Sequence, residues 1–302
     1  MRIEIGHRNY LAYLLLSHPA KIARLSSESR KRLDDINRAF NERIYSGDGA
    51  REYDRIHRYA EADQNEADQN EANQNDYPAR ALVDETWVGA GYGRALELGA
   101  GSGYFTTLIA RHARSVVAVE PVPDIRVVLA ERCRREGLEH VQVLGATALD
   151  LAAHVGEASI DSAFVIQSLH HFHRRDEVFR ALGRAVRPGG QLFLVEPHHN
   201  LRRVARLTRK YLAEYRATAF WRDERNWATH DFLTRGELRD LCRQGGFTDV
   251  AIEGYWIPGS RRLIVDPRRR FGLERVVGRL PAVRHFAAVL ALTARRQADR
   301  SG

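Results

Sequence analysis

Little in this chain offers reactive sulfur, and nothing in it is long and apolar enough to span a membrane. Among 302 residues there are two cysteines, Cys133 and Cys242, and one methionine. With no C-x-x-C pair and no metal-ligand spacing, the two thiols argue against a disulfide framework and a zinc centre. The longest apolar run near the start, Tyr10 to Leu16, is far short of the roughly 20 residues a membrane-spanning helix needs and is followed by no cleavage pattern. The chain is therefore expected to be cytoplasmic. Lysine is also scarce, with only Lys21, Lys31 and Lys210, so the net charge of +8 is almost wholly arginine. That charge is uneven: residues 201–302 hold 22 basic against 11 acidic side chains, whereas the first 200 hold 25 against 28. A basic third suits nucleic acid, anionic lipid or an acidic substrate. It is equally what an arginine-biased genome would write.

What the chain does have is a 44% hydrophobic composition, enough for a sizeable core. Short apolar strands alternate with helical stretches: a strand ending at Leu98, a helix from Tyr104, a strand Ser115–Val119, a helix Asp124–Glu136, and a strand Val141–Leu144. A fourth strand, Ser162–Gln167, a helix Asp176–Val186 and a fifth strand, Gln191–Val195, follow. That rhythm implies βαβ units and a parallel sheet covered on both faces. Between the first strand and its helix lies Gly99-Ala-Gly-Ser-Gly103, a turn in which glycines allow sharp bending and close approach of backbone to a ligand. Glu120 closes the second strand 17 residues beyond Gly103, near the spacing at which a carboxylate meets ribose hydroxyls.

The ordered set Leu96-Glu-Leu-Gly-Ala-Gly-Ser-Gly103, Glu120, Asp161 with His170-His171-Phe172 after its strand, and Arg187-Pro-Gly-Gly190 resembles the class I S-adenosylmethionine-dependent methyltransferases over about residues 79 to 200. The resemblance implies an α/β, Rossmann-like sheet of seven mostly parallel strands in the order 3-2-1-4-5-7-6, with helices on both faces and an N-terminal helical extension. It also implies S-adenosyl-L-methionine as cofactor. Glu97 would face the ammonium; Gly99, Ala100, Gly101 and Gly103 would offer bare backbone; Glu120 would take the ribose hydroxyls; Pro121 would pack on adenine with Val122. Ala146 stands where the family usually has an acidic residue near the adenine amino group, leaving Ala146 and Thr147 backbone, with the Thr147 or Asp150 side chain, to meet the ring. Gln167 would meet the methionine end.

Methyl transfer from a sulfonium needs alignment and dryness more than covalent help, and a base only where the acceptor must lose a proton. His170 and His171 lie just past strand four, where a base could reach an acceptor, with His198 and His199 as alternatives past strand five. The blander role is that His-His-Phe shapes the cofactor pocket. A metal site among these histidines lacks carboxylates at ligand spacing, so no metal is expected.

Outside the core the chain divides into a helical segment 1–60, a linker 61–78, the cofactor core 79–197, a variable lid or substrate segment 198–232, and a completion of the sheet at 233–302. Residues 61–75 are a pentapeptide repeat with no apolar residue beyond alanine, read as solvated linker. Tyr77-Pro78 should break the chain before a helix Ala79–Val88. Tyr53, His57 and Tyr59 sit where similar enzymes fold a segment over the cofactor. An amphipathic helix is expected over Leu201–Phe220, a capped helix from Thr234-x-x-Glu237 to Gly245, strand six over Gly246–Glu253 and an antiparallel last strand over Phe286–Ala294. The acceptor is expected to be a small molecule methylated at oxygen, nitrogen or carbon. Two alternatives stand beside it: an RNA-modifying enzyme using the basic C-terminal third, and a non-catalytic binding protein that retains the fold. The sequence does not fix the oligomeric state.

Overall fold

A computed structural model describes residues 16–57, 71–214 and 231–298. Its centre is a seven-stranded sheet in the order β3-β2-β1-β4-β5-β7-β6. The strands are β1 Gly93–Leu98, β2 Ala113–Val119, β3 Val141–Leu144, β4 Ile160–Ile166, β5 Val186–Pro197, β6 Phe247–Tyr255 and β7 Val289–Arg296. The first five pair in parallel, and β7 inserts antiparallel between β5 and β6. The sheet order expected from the resemblance is the order found.

Both faces are dry because successive side chains of a strand point to opposite faces. Leu96 and Leu98, Val117 and Val119, Ala163 and Val165, and Leu192 and Leu194 join one core. Ala95, Val116 and Ala118, Phe164 and Ile166, and Phe193 and Val195 join the other. Each strand therefore reads as an unbroken apolar run rather than an alternating one.

Asp161 belongs to the opposite end of the sheet from the glycine turn. At the start of β4 it accepts the Arg94 backbone N–H at 2.6 Å and pairs with Arg187 Nε at 2.6 Å, and although burial opposes it, these two bonds and the Arg187 and Arg114 charges hold its carboxyl below its usual range. Its part in the family pattern is thus to clamp β1, β4 and β5 together.

The structure departs from the sequence reading in three places. The third repeat copy and Pro78 lie inside a helix, Glu71–Ala81, that runs on into a wider π turn, Leu82–Thr86. Proline normally breaks a helix interior, but Ala79, Ala81, Leu82 and Val83 are all buried against the sheet, and that packing outweighs the lost hydrogen bond. β5 starts at Val186 rather than Gln191, because Val186 already pairs with Ile160, and the Arg187–Gly190 run forms a register shift before Gln191 pairs with Ser162. β7 begins at Val289, since Pro281 opens a short helix, Pro281–Phe286, before it. The segment 258–284, whose fold carried no sequence signal, holds two further helices, Ser260–Leu263 and Pro267–Val277. The 61–70 part of the repeat, Tyr59 and residues 215–230 with their tryptophan-rich run lie outside the described residues, as do the side chains of Tyr53 and His57.

Candidate active site

The turn after β1 is built by its own neighbours. Gly99, Gly101 and Gly103 have φ of +73°, +54° and +88°, a region that disfavours any side chain. A Cβ at Gly99 would lie 2.5 Å from Ser168 Cβ, and one at Gly103 would lie 2.4 Å from Leu129 Cδ1. The N–H groups of Gly99 and Ala100 both bond the Val119 carbonyl, and that of Gly103 bonds the Ala100 carbonyl. The backbone here is therefore bare of side chains yet already paired. Buried Arg132 holds the turn from behind, donating from Nε to the Ser102 carbonyl at 3.0 Å.

Two buried carboxylates flank this turn. Glu97 accepts the Thr106 hydroxyl at 2.5 Å, and burial pushes its carboxyl up to about 8 despite that bond. Glu120 accepts the N–H groups of Gly101 at 3.0 Å and Val122 at 2.9 Å, and burial still lifts it to about 7. A carboxylate offers about four lone-pair positions. Glu120 thus keeps two for a further donor, the number that a vicinal diol brings.

A cavity of about 490 Å³ runs past the turn. Gly99, Pro121, Val122, Ala146 and Thr147 line its sheet side, so five of the residues expected to touch the cofactor share one wall. The Thr147 N–H and hydroxyl both bond Asp150 Oδ2, at 3.0 and 2.7 Å, and these bonds lower the Asp150 carboxyl. Asp150 is itself on the wall, four residues beyond Ala146.

The roof of this cavity is the helix Leu33–Tyr45, which presents Asp34, Asn37, Arg38, Asn41 and Glu42. Those positions, three and four apart, form one helical face, a polar stripe that is the only sequence signal for the roof. Helix Asp48–His57 follows it, and Ala50 packs with Tyr45 on Val122 and Ile125, while the Gly47 N–H bonds Asp124 at 2.6 Å. Burial raises the Tyr45 phenol to about 12, with Glu120 adding to the shift. An N-terminal helix does cover the cleft, and it is the one before Tyr53 and His57.

Gln167 faces elsewhere. It takes φ of +52°, donates from Nε2 to Asp76 at 2.8 Å, and lines a second cavity of about 260 Å³ at the C-terminal ends of β4 and β5 and the start of antiparallel β7. Ser168, its neighbour, bonds the Leu98 carbonyl and crowds Gly99, so the chain at 167–168 separates the two cavities.

His170 and His171 line neither cavity. His170 is buried, donating from Nδ1 to Glu196 at 2.8 Å and stacking beside His171 at 4.2 Å between ring centroids. Glu196, fully buried, also takes the N–H groups of Ser168 and Leu169 at 2.7 and 2.6 Å. It therefore fixes the whole 168–170 bend, and a carboxylate ending an apolar strand was its only mark in the sequence. Asp231 is a second hidden node. It accepts Lys21 Nζ at 2.8 Å on both oxygens, lies 3.4 Å from His18, and its backbone N–H bonds the His170 carbonyl at 2.9 Å. Burial opposes its charge, but His18, Lys21 and Arg175 outweigh burial and hold its carboxyl well below the usual range. Among the described residues, no group of three or more His, Cys, Asp or Glu side chains converges as a metal site would.

The fold and this turn define a Rossmann-like nucleotide-cofactor domain. Residues 96–194, about a third of the chain, match the family model of a methyltransferase domain, and this domain is of the class I S-adenosylmethionine-dependent type. An uncharacterized methyltransferase of Mycobacterium tuberculosis is 33% identical over 119 residues, 39% of this chain and 45% of that protein, so the chain matches less than half of that relative's length. The S-adenosyl-L-methionine-dependent Diels-Alderase iccD of Talaromyces variabilis is 28% identical over 211 residues, covering 67% of this chain and 68% of that one. Among solved structures, phosphoethanolamine N-methyltransferase 2 of Haemonchus contortus in complex with S-adenosyl-L-methionine superposes with a TM-score of 0.57 at 16% identity, covering 86% of this chain and 60% of that one. That likeness is one of fold.

Proposed function

We propose that this chain transfers a methyl group from S-adenosylmethionine to an oxygen, nitrogen or carbon atom of a small molecule. The observation that carries the reading is the pair of cavities on either side of residues 167–168, one beside the glycine turn and one beyond Gln167. The donor set fits the cofactor: two open acceptor positions on Glu120 for a diol, apolar Pro121, Val122 and Ala146 for a flat ring, and Asp150 for an amino group. When bound, the cofactor supplies an electrophilic methyl on a sulfur that leaves readily. The residues of this chain then bind, orient and exclude water, the contributions that align an in-line transfer. In this reading Gly99, Ala100, Gly101 and Gly103 present the methionine and ribose portions with backbone only, Glu97, held protonated by burial in the free chain, ionises as the cofactor's ammonium approaches it, Thr147 orients Asp150, and Gln167 borders the acceptor cavity at the divide. His170 acts with Glu196 to position the 168–170 bend, and His171 braces it against Tyr45, 6.5 Å away between ring centroids.

The core at 79–197 encloses the family match at 96–194, and from the described parts of 198–232, residues within 198–206 and Phe232 supply walls of the second cavity, as a substrate segment would. A chamber of about 260 Å³ suits a small acceptor better than a nucleic-acid strand. Two buried, reduced thiols suit a cytoplasmic setting. A second reading, cofactor binding without methyl transfer, is favoured by iccD, which is named a Diels-Alderase and aligns over two thirds of this chain.

Calorimetric titration with S-adenosylhomocysteine tests the shared step. Micromolar binding by the wild-type chain, lost in Gly101→Arg, is expected; no binding by the wild type would end both readings. Mass-spectrometric search for a methylated product then separates them.

A further inference from the structure

The second cavity has a charge and a strain that the transfer of a methyl group does not require. Helix Leu201–Glu214 turns Arg202, Arg203 and Arg206 onto its wall. Asp76, which accepts Gln167 Nε2, is the one carboxylate among the described residues of this wall, so the three arginines outnumber it, and His198 adds no charge, because burial drives its imidazole down to about 4. Arg203 is only 6% exposed and its guanidinium lies 3.1 Å from the centroid of the Phe232 ring.

Strain marks the same wall. Four described residues other than glycine have positive φ, and two of them, Gln167 at +52° and Trp256 at +62°, line this cavity. Backbone held in such regions persists only where its surroundings fix it, and it gathers at functional sites. Trp256 is fixed by Glu274, which is 1% exposed and accepts the N–H groups of Trp256 and Ile257 at 3.0 and 3.1 Å. Arg202 Nη1 in turn donates to the Trp256 carbonyl at 2.9 Å. The indole N–H so positioned is buried and has no hydrogen-bond partner among the described residues. A donor of that kind is expensive to bury unless something accepts from it.

We propose that this cavity binds the methyl acceptor by a single anionic group, a carboxylate, held by the Arg202–Arg206 turn and the Trp256 indole, with a small apolar body against Pro197, Phe232 and Val289. The inference rests on the methyl-transfer reading for the word acceptor alone; the anion site is a property of the cavity. Its size limits the body to about that of one aromatic ring with a short arm.

The test uses the full chain saturated with S-adenosylhomocysteine and three probe pairs: benzoate, phenylacetate and 3-phenylpropionate, each against its amide. Calorimetry should show at least one acid binding roughly tenfold or more tighter than its amide. Arg206→Gln, at an exposed helix position, should remove that difference, and Trp256→Phe should weaken the acid about threefold to tenfold, both with S-adenosylhomocysteine affinity unchanged. The proposal is overturned if no acid outbinds its amide, or if Arg206→Gln weakens S-adenosylhomocysteine instead, which would assign the arginines to the cofactor's own carboxylate. If S-adenosylhomocysteine fails to bind the wild-type chain, the methyl-transfer reading falls, and the acid–amide difference measured on the unloaded protein still decides the anion site.

Discussion

The two ends of the candidate site are built in opposite ways. At the glycine turn, residues 97–103 and 120–122 do nearly everything: the left-handed glycines, the two carboxylates and the N–H groups they accept all come from one βαβ unit. At the second cavity, the walls come from Asp76, Gln167, residues 197–206, Phe232, Trp256 and Val289, six stretches spread over more than 200 residues. A site made within one unit is fixed once that unit folds. One assembled from distant segments depends on whatever ties those segments together, and one such tie is Asp231, beside Phe232, whose carboxylate holds Lys21 and whose N–H bonds the His170 carbonyl three residues beyond Gln167.

Breaking that tie should give the largest effect on stability. Asp231→Asn leaves Lys21 charged in a site where it is 1% exposed, and removing one partner of a buried pair costs about 3–5 kcal/mol. Chemical denaturation should register that loss, and adding Lys21→Met should restore part of it, since a neutral pair no longer strands a charge. A cost under about 1 kcal/mol would mean that the second cavity does not depend on this contact. The pH dependence follows from the sign of the Asp231 shift. Because the folded carboxyl lies below its unfolded value of 3.8, the contribution is complete above about pH 4 and is lost as pH falls below it.

The cofactor end should yield to a single substitution of another kind. Glu120→Ala removes the acceptor of the Gly101 and Val122 N–H groups and of the expected diol. Hydrogen bonds to a charged group contribute about 1.5–3 kcal/mol each, so losing the two diol bonds should lower S-adenosylhomocysteine affinity on the order of 100- to 10,000-fold in calorimetry. Acid–amide discrimination at the second cavity should survive in the same variant. Loss of both would show the two ends to be one coupled site.

A finer probe of that end is the proton on Glu120. In the free chain burial holds its carboxyl up to about 7. A diol that donates to the carboxylate stabilises the ionised form, so the bound value must be lower and binding must release a proton wherever the free group still carries one. Affinity for S-adenosylhomocysteine should therefore rise from about pH 5.5 to about pH 7.5 and then level off. Glu120→Gln should flatten that rise. An affinity independent of pH in the wild type would mean that the diol does not reach Glu120.

The same contrast explains what could be read from the sequence. The sheet order, the strand series and Glu97, Glu120 and Ala146 were legible because strand-turn-helix units write their geometry into contiguous residues. The wall shared by Gly99, Pro121, Val122, Ala146 and Thr147 follows from that order. Gln167 was legible as a residue at a strand end, but not as part of a different cavity from Gly99, since the division depends on how Ser168 packs. Glu196, Asp231 and the polar face Asp34–Glu42 were hidden, because a carboxylate at a strand end or a polar stripe on a helix looks solvated until its distant partners are known. Pro78 misled for a related reason: a local breaking rule lost to burial of Ala79, Ala81 and Leu82 against the sheet.

The smallest expected effect checks whether local and long-range devices are separable within the C-terminal part. Thr234 caps helix Arg235–Gln244, its hydroxyl accepting the Glu237 N–H at 3.2 Å. It stands three residues beyond Asp231, yet the bond is exposed and local. Thr234→Ala should cost about 1 kcal/mol of stability, the ordinary value of an N-cap, visible as a shift of the denaturation midpoint. Because Glu237 also accepts Arg175 Nη1 at 2.6 Å, and Arg175 donates in turn to the Asp231 carbonyl, a double-mutant cycle between Thr234→Ala and Asp231→Asn measures how far the cap reaches. Additive costs are expected, since the hydroxyl touches only the Glu237 backbone while the ion pair uses its carboxylate. A coupling of more than about 0.5 kcal/mol would make the cap part of the frame that holds the second cavity.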